Sequence, residues 1–145
     1  MQISSRFTIA IHILICIETF KSDYKVTSDF LASSVNVNPV VIRRLLQQLK
    51  KAGIVSVVRG SGGADVEKPL NEITLLDVYH AVECVEESGL FHFHDNPNQL
   101  CPVGKNIHSI LDMRLEKIQK AMEQEMEAVT IQDVINDTQK LIAIR

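Results

Sequence analysis

Asn38-Pro39-Val40-Val41-Ile42-Arg43-Arg44-Leu45-Leu46-Gln47-Gln48-Leu49-Lys50-Lys51-Ala52-Gly53 is the stretch whose reading decides the fold. Asn38 is a good N-cap, and Pro39 falls at the first helical position, where its missing N–H costs nothing. Ile42, Leu45, Leu46 and Leu49 recur at helical spacing and predict one buried stripe. Gly53 is placed to end the helix in the left-handed conformation that glycine adopts cheaply. The remaining positions must face outward: Val40, Arg43, Arg44, Gln47, Gln48, Lys50 and Lys51. From Asn38 to Gly60 there are five basic residues and no acidic one.

Upstream of this helix, Thr27 or Ser28 caps a short helix whose inner face is Phe30, Leu31 and Val35. Val35-Asn36-Val37 is a tight link. Earlier still, Ser4 or Ser5 caps a first helix running to about Phe20. Its apolar residues nearly surround it, so it is expected to be buried on more than one side, against its own domain and against something else such as a second subunit. Lys21 to Lys25 reads as a polar loop. Downstream, Ile54 to Val58 is a β-branched run and reads as a strand. Arg59-Gly60-Ser61-Gly62-Gly63 is a turn, and Ala64 to Glu67 returns as the second strand. Pro69 closes the hairpin unit. Thr74-Leu75-Leu76-Asp77 resembles a capping box. The helix behind it uses Leu75, Leu76, Val78, Tyr79, Val82 and Val85.

Helix, short helix, tight turn, capped helix and hairpin in this order spell a winged helix-turn-helix: mainly α, with a small β-hairpin wing. In such modules the second helix of the pair enters the major groove of DNA, its N-terminal residues near base edges. That makes Val40, Arg43 and Arg44 the candidates for base contact. Gln47, Lys50 and Lys51, with Gln48 completing the outward set, are placed to meet phosphate, which positions a protein without reading sequence. Arg59 at the hairpin tip suits a narrow minor groove, whose potential is strongly negative. The alternative is a winged helix used for protein contacts.

Residues 88–102 change character. Gly89, Asn96, Pro97, Asn98 and Pro102 break regular structure, and His92, His94 and Cys101 lie among them. A long helix follows from about Val103 to Ala128. Ile107, Leu111, Leu115, Ile118, Met122, Met126 and Val129 recur along it at steps close to a coiled-coil seam. A helix this long with one narrow stripe generally needs a partner, so Ile107, Leu111, Leu115, Ile118 and Met122 are the expected dimer interface. Thr130 with Asp133 starts a last short helix, and the tail from Asn136 is assigned no structure. The chain thus divides into a DNA-binding domain (1–83), an effector loop (84–102) and a dimerisation helix with a C-terminal helix (103–145).

Composition agrees once it is split along the chain. The 145 residues are 46% hydrophobic and 23% charged, ordinary for one globular domain with an appended helix. The formal net charge of −3 points away from nucleic acid. Residues 1–68, however, hold nine Lys/Arg against five Asp/Glu, and residues 69–145 hold six against thirteen, which is +4 and −7. The basic half is the one that carries the helix-turn-helix. The apolar run Phe7 to Ile17 is too short for a membrane span and no cleavage site follows it. Three scattered cysteines (Cys16, Cys84 and Cys101) do not make a disulfide scaffold. No membrane association is expected, and cytoplasm is the default compartment. Among enzyme signatures, no Walker A loop, dinucleotide fingerprint or nucleophile elbow is present. A Cys101–His108 pair would lie nearly two helical turns apart, about 10 Å. No enzymatic activity is expected.

Leu49-Lys50-Lys51-Ala52-Gly53-Ile54-Val55, the wing Val58-Arg59-Gly60-Ser61-Gly62-Gly63 and Ile73-Thr74-Leu75-Leu76-Asp77-Val78 resemble the bacterial Rrf-two family over nearly the whole chain. The resemblance implies a homodimeric transcription regulator, usually a repressor, whose long helices cross at the dimer interface. It implies base contacts from Val40, Arg43, Arg44 and the wing Arg59. Several members hold an iron–sulfur cluster through three cysteines ahead of the long helix. Only Cys101 matches one of these positions, and Cys84 belongs to no cysteine group, so the chain resembles the subgroup without the triad and no cofactor is expected. The wing also departs from the family: Gly62-Gly63 is followed by Ala64-Asp65, and Asp65 near a phosphate would repel it. Three readings of the effector segment stay open. Cys101 is a redox-responsive thiol activated by the helix start, or His92, His94, His108 and a cysteine bind a metal, or the segment is structural and the effector is a small molecule or another protein.

Overall fold

Ser4 accepts a hydrogen bond from the Arg6 backbone N–H and opens the first helix, α1 (Ser5–Phe20). The computed structural model describes residues 3–60, 62–82 and 89–143. Ala10, Ile13, Leu14, Cys16 and Ile17 of α1 are buried, and Phe7, Ile9, Ile11, Ile15 and Phe20 pack against the same core. One side of this mostly apolar helix is therefore sealed by its own chain and the other is only half-covered. Thr27 caps α2 (Ser28–Val35) through the Phe30 N–H, and Asn36 closes it in the left-handed region at φ 62°.

Asn38 Oδ1 accepts from the Val40 N–H at 2.9 Å and starts α3 (Pro39–Lys51). All four residues of the expected stripe, Ile42, Leu45, Leu46 and Leu49, are buried. The hairpin follows: β1 (Val55–Val58) runs antiparallel to β2 (Gly63–Val66), with Val55 opposite Val66 and Val58 opposite Gly63. Ser61, at its tip, lies outside the described residues. A 3-10 turn (Leu70–Glu72), not expected from the sequence, leads into α4 (Leu75–Ala81). The Thr74–Asp77 capping box is complete, with both reciprocal hydrogen bonds made. The sequence carries the next helix on to Val85, but Val85, Cys84 and the 83/84 boundary fall outside the described residues. Residues 89–101 hold no regular structure. They lead into α5 (Pro102–Glu127) and then α6 (Ile131–Ala143).

The last helix corrects the sequence reading twice. It is not short, and the tail from Asn136 is helical through to Ala143. It also does not stay with α5. Thr130 and Asp133 form a second capping box. The two box-bearing starts are stitched together: the Leu75 N–H donates to the Val129 carbonyl at 2.9 Å, and the Ile131 N–H to the Ile73 carbonyl at 2.8 Å. Ile131 and Ile135, one turn apart, then sink into the core with α1. The C-terminal helix thus completes the hydrophobic core of the first domain. α5 stands outside it, without one fully buried residue.

The wing is tied to the chain that leads into α2. The Ala64 N–H donates to the Val26 carbonyl at 2.9 Å, which requires β2 to pass close to the chain leading into α2. Gly63 makes this approach at φ +80°, and a Cβ there would lie 2.9 Å from the Val26 nitrogen. Gly63→Ala should cost roughly 2–4 kcal/mol, strain plus clash, and lower the melting temperature by about 5–15 °C. Gly53→Ala shares the positive φ but meets nothing within 4 Å. It should cost only about 1 kcal/mol. Thermal melts of the two variants compare the contact with the backbone strain alone.

Candidate nucleic-acid interface

The outward face of α3 is a solvated strip opposite the buried stripe. Arg43, Arg44, Gln47, Lys50 and Lys51 are exposed, and with them Val40 at 53% and Val41 at 36%. The exception is Gln48, which is half-buried, its Oε1 enclosed without a hydrogen-bond partner. Its position on the edge of the core stripe, between Leu45 and Leu49, accounts for this. Arg59 is exposed at the end of β1. The start of α2, the outward face of α3 and the wing all belong to one rigid unit, because α2 and α3 share the core and β2 is pinned to Val26.

Asp65 does not stand alone on the wing. Lys21 Nζ lies 3.7 Å from its Oδ1 and 2.9 Å from Glu18 Oε1. The Lys21 ammonium is raised above its usual range, first by the hydrogen bond to Glu18 and then by the charges of Glu18 and Asp65. Exposed pairs of this kind add little stability. Their consequence here is electrostatic: Lys21 at the end of α1 is shared between Glu18 and Asp65, so it offsets part of the negative charge beside the wing. Sequence reasoning placed Lys21 in a loop and gave it no role, since nothing local links it to Asp65.

Along α5 the expected seam divides. Ile107, Leu111, Leu115 and Met122 are half-buried, on the same covered side as Gln119, whose Oε1 accepts from the Leu90 N–H at 3.0 Å. Val103, Ile110 and Ile118 are exposed, at 62%, 49% and 53%. Val103, Ile110 and Ile118 follow one another at steps of seven and eight, which puts them on one outer side of the helix.

Cys101 is the N-cap residue of α5. The backbone N–H groups of Gly104 and Val103 hold its thiol below the usual range by favouring the thiolate. Alkylation by a neutral reagent, followed against pH, should therefore show its midpoint below that of free cysteine, about 8.5. The rate should rise as pH climbs through that lowered midpoint. Cys16 is buried in the core, its sulfur 3.2 Å from Ser34 Oγ. His108 is occupied by packing on Phe93, with ring centroids 4.1 Å apart, and by Asp112 at 3.4 Å.

The model of the Rrf2 family, described as an iron-dependent transcriptional regulator, matches residues 3–137. The chain belongs to this family. As an Rrf2 protein it is a DNA-binding transcription regulator and not an enzyme. It is 47% identical over 135 residues to YwnA of Bacillus subtilis (strain 168), named as an HTH-type transcriptional regulator, covering 93% of this chain and 98% of YwnA. A crystal structure of a protein titled as DNA-binding is 40% identical, with a TM-score of 0.69, over 90% of this chain and 99% of that one. IscR of T. potens shares the fold, with a TM-score of 0.69 at 19% identity, over 95% of this chain and 88% of that one. The family description raises the question of an iron site. Among the described residues, no three or more His, Cys, Asp or Glu side chains are placed to hold a metal ion. The two described cysteines lie in different settings, Cys16 in the core and Cys101 at the start of α5. The described residues do not fit an iron or iron–sulfur site. Among them, no helix is long and apolar enough to cross a membrane.

Proposed function

We propose that this Rrf2 protein acts in the cytoplasm as a homodimeric repressor on a two-fold-symmetric DNA site. α3 enters the major groove, with Val40, Arg43 and Arg44 toward base edges and Gln47, Lys50 and Lys51 toward phosphate. Arg59 reaches the adjacent minor groove. The observation that carries this reading is the outward face of α3: it is exposed and carries Arg43, Arg44, Lys50 and Lys51 with no acid among them. Guanine offers N7 and O6 to a bidentate arginine, which gives the two arginines a chemical target.

Dimerisation through α5 is supported by the helix itself. Twenty-six residues without a buried side chain, and an outer side bearing Val103, Ile110 and Ile118, leave apolar surface that a second α5 would cover. The effector would act on residues 84–102, through the Cys101 thiol or a small molecule. Selection from a random-sequence DNA library, then titration of the selected duplex, tests the proposal. A symmetric consensus bound far more tightly than random DNA is the expected result. Uniform, salt-sensitive binding to every sequence would contradict it.

A further inference from the structure

We propose that Val40 reads the 5-methyl group of a thymine in each half-site, with Val41 flanking it. This rests on α3 being the major-groove helix and adds what its first turn recognises. Val40, Arg44, Gln47 and Lys51 succeed one another at steps of four, three and four along the side of α3 opposite Ile42, Leu45, Leu46 and Leu49. Val40 therefore heads the centre line of the outward face. Its backbone is held in the first turn, its own N–H donating to Asn38 Oδ1 at 2.9 Å.

Two exposed β-branched apolar side chains at this helix start do nothing for the core and cannot bond phosphate. They stand on a face otherwise made of Arg, Gln and Lys, with no acid from Asn38 to Gly60. That charge commits the face to a polyanion. Of the groups that line a major groove, N7, O6, N4, N6 and O4 are all polar, and the thymine methyl is the one apolar feature. An exposed valine on a duplex-facing strip has that group as its chemical complement. Arg44 stands one turn further, about 6 Å along the axis. The thymine accordingly lies within two base steps, each about 3.4 Å, of the base pair that Arg44 contacts.

The test uses the full-length protein and its selected duplex, with thymines replaced by deoxyuridine one symmetric pair at a time. The change removes the methyl and leaves the pairing intact. For one such symmetric pair, deoxyuridine should weaken binding about 15-fold, about fourfold for each half-site changed. Val40→Ala should bind the thymine and deoxyuridine duplexes alike, while Val40→Thr, which keeps one methyl, should retain part of the preference. Circular dichroism and an unchanged melting temperature would show that the variants fold, since Val40 is exposed. Equal binding of both duplexes by the parent at every thymine, or a Val40→Ala protein as sensitive as the parent, would overturn the proposal. Selection of no sequence at all would overturn the major-groove reading beneath it, and the methyl contact with it.

Discussion

Arg44→Ala is expected to weaken binding to the selected duplex by roughly 30-fold to more than 10⁴-fold. A bidentate arginine–guanine contact is worth about 1–3 kcal/mol, and a homodimer loses it twice. The loss should fall on specificity: affinity for random DNA should change far less, because one charge in each protomer is a small part of the electrostatic attraction. Lys50→Ala and Lys51→Ala should behave in the opposite way. Each should reduce the dependence on salt by about one unit of slope per lost phosphate contact and leave the sequence preference intact. Arg44 is exposed on the outward face and shares nothing with the core, so its removal should leave the melting temperature unchanged within error. Titrations of the selected and random duplexes at several salt concentrations separate the two classes of residue.

The second large effect concerns α5. Ile110 and Ile118 are 49% and 53% exposed in the single chain, so aspartate at both positions meets water there and leaves the protomer folded. In a dimer that covers this side, four carboxylates would be buried against apolar surface, a cost that no partner repays. The double variant should therefore be a monomer by light scattering at micromolar concentration. Its affinity for the two-half-site duplex should fall by a factor on the order of 10²–10⁴, the advantage of linking two reading heads. Leu111→Asp is a less telling variant, because Leu111 is half-buried against its own chain and the charge would also unsettle the protomer. A double variant that remains a dimer would place the interface elsewhere, the half-covered side of α1 being the next apolar surface.

Most of the reading head was legible because its determinants are local. Asn38, Pro39 and the Ile42–Leu49 stripe define α3 within one short segment, and the Thr74–Asp77 box does the same for α4. What was not legible depends on partners far apart in the chain. The backbone bonds from Ile131 to Ile73 and from Leu75 to Val129 draw α6 back into the first domain, and no periodicity in α6 announces its destination. The Lys21–Asp65 pair joins the end of α1 to the wing in the same unannounced way. The α5 stripe was visible, but not which of its residues the chain covers itself. A helix that meets both its own domain and a partner carries two overlapping apolar sides, and a period near 3.5 blends them. Gln48 illustrates the smaller error: a residue at the boundary of a stripe is neither inside nor outside by spacing alone.

Charge tells the same story at lower resolution. A net of −3 conceals a basic reading half and an acidic half whose excess lies in residues 69–101, with six Asp/Glu and no Lys/Arg. The acidic half is repelled by a duplex and helps to turn the basic face toward it.

The most direct test of the account is a methylation-interference experiment on the selected duplex. Dimethyl sulfate places a methyl on guanine N7, in the major groove, where it blocks a bidentate arginine. Binding should be lost when guanines at symmetric positions of the two half-sites are methylated, and Arg44→Ala should abolish that interference. Tight, sequence-selective binding indifferent to methylation at every guanine would contradict the assignment of the α3 arginines to the major groove.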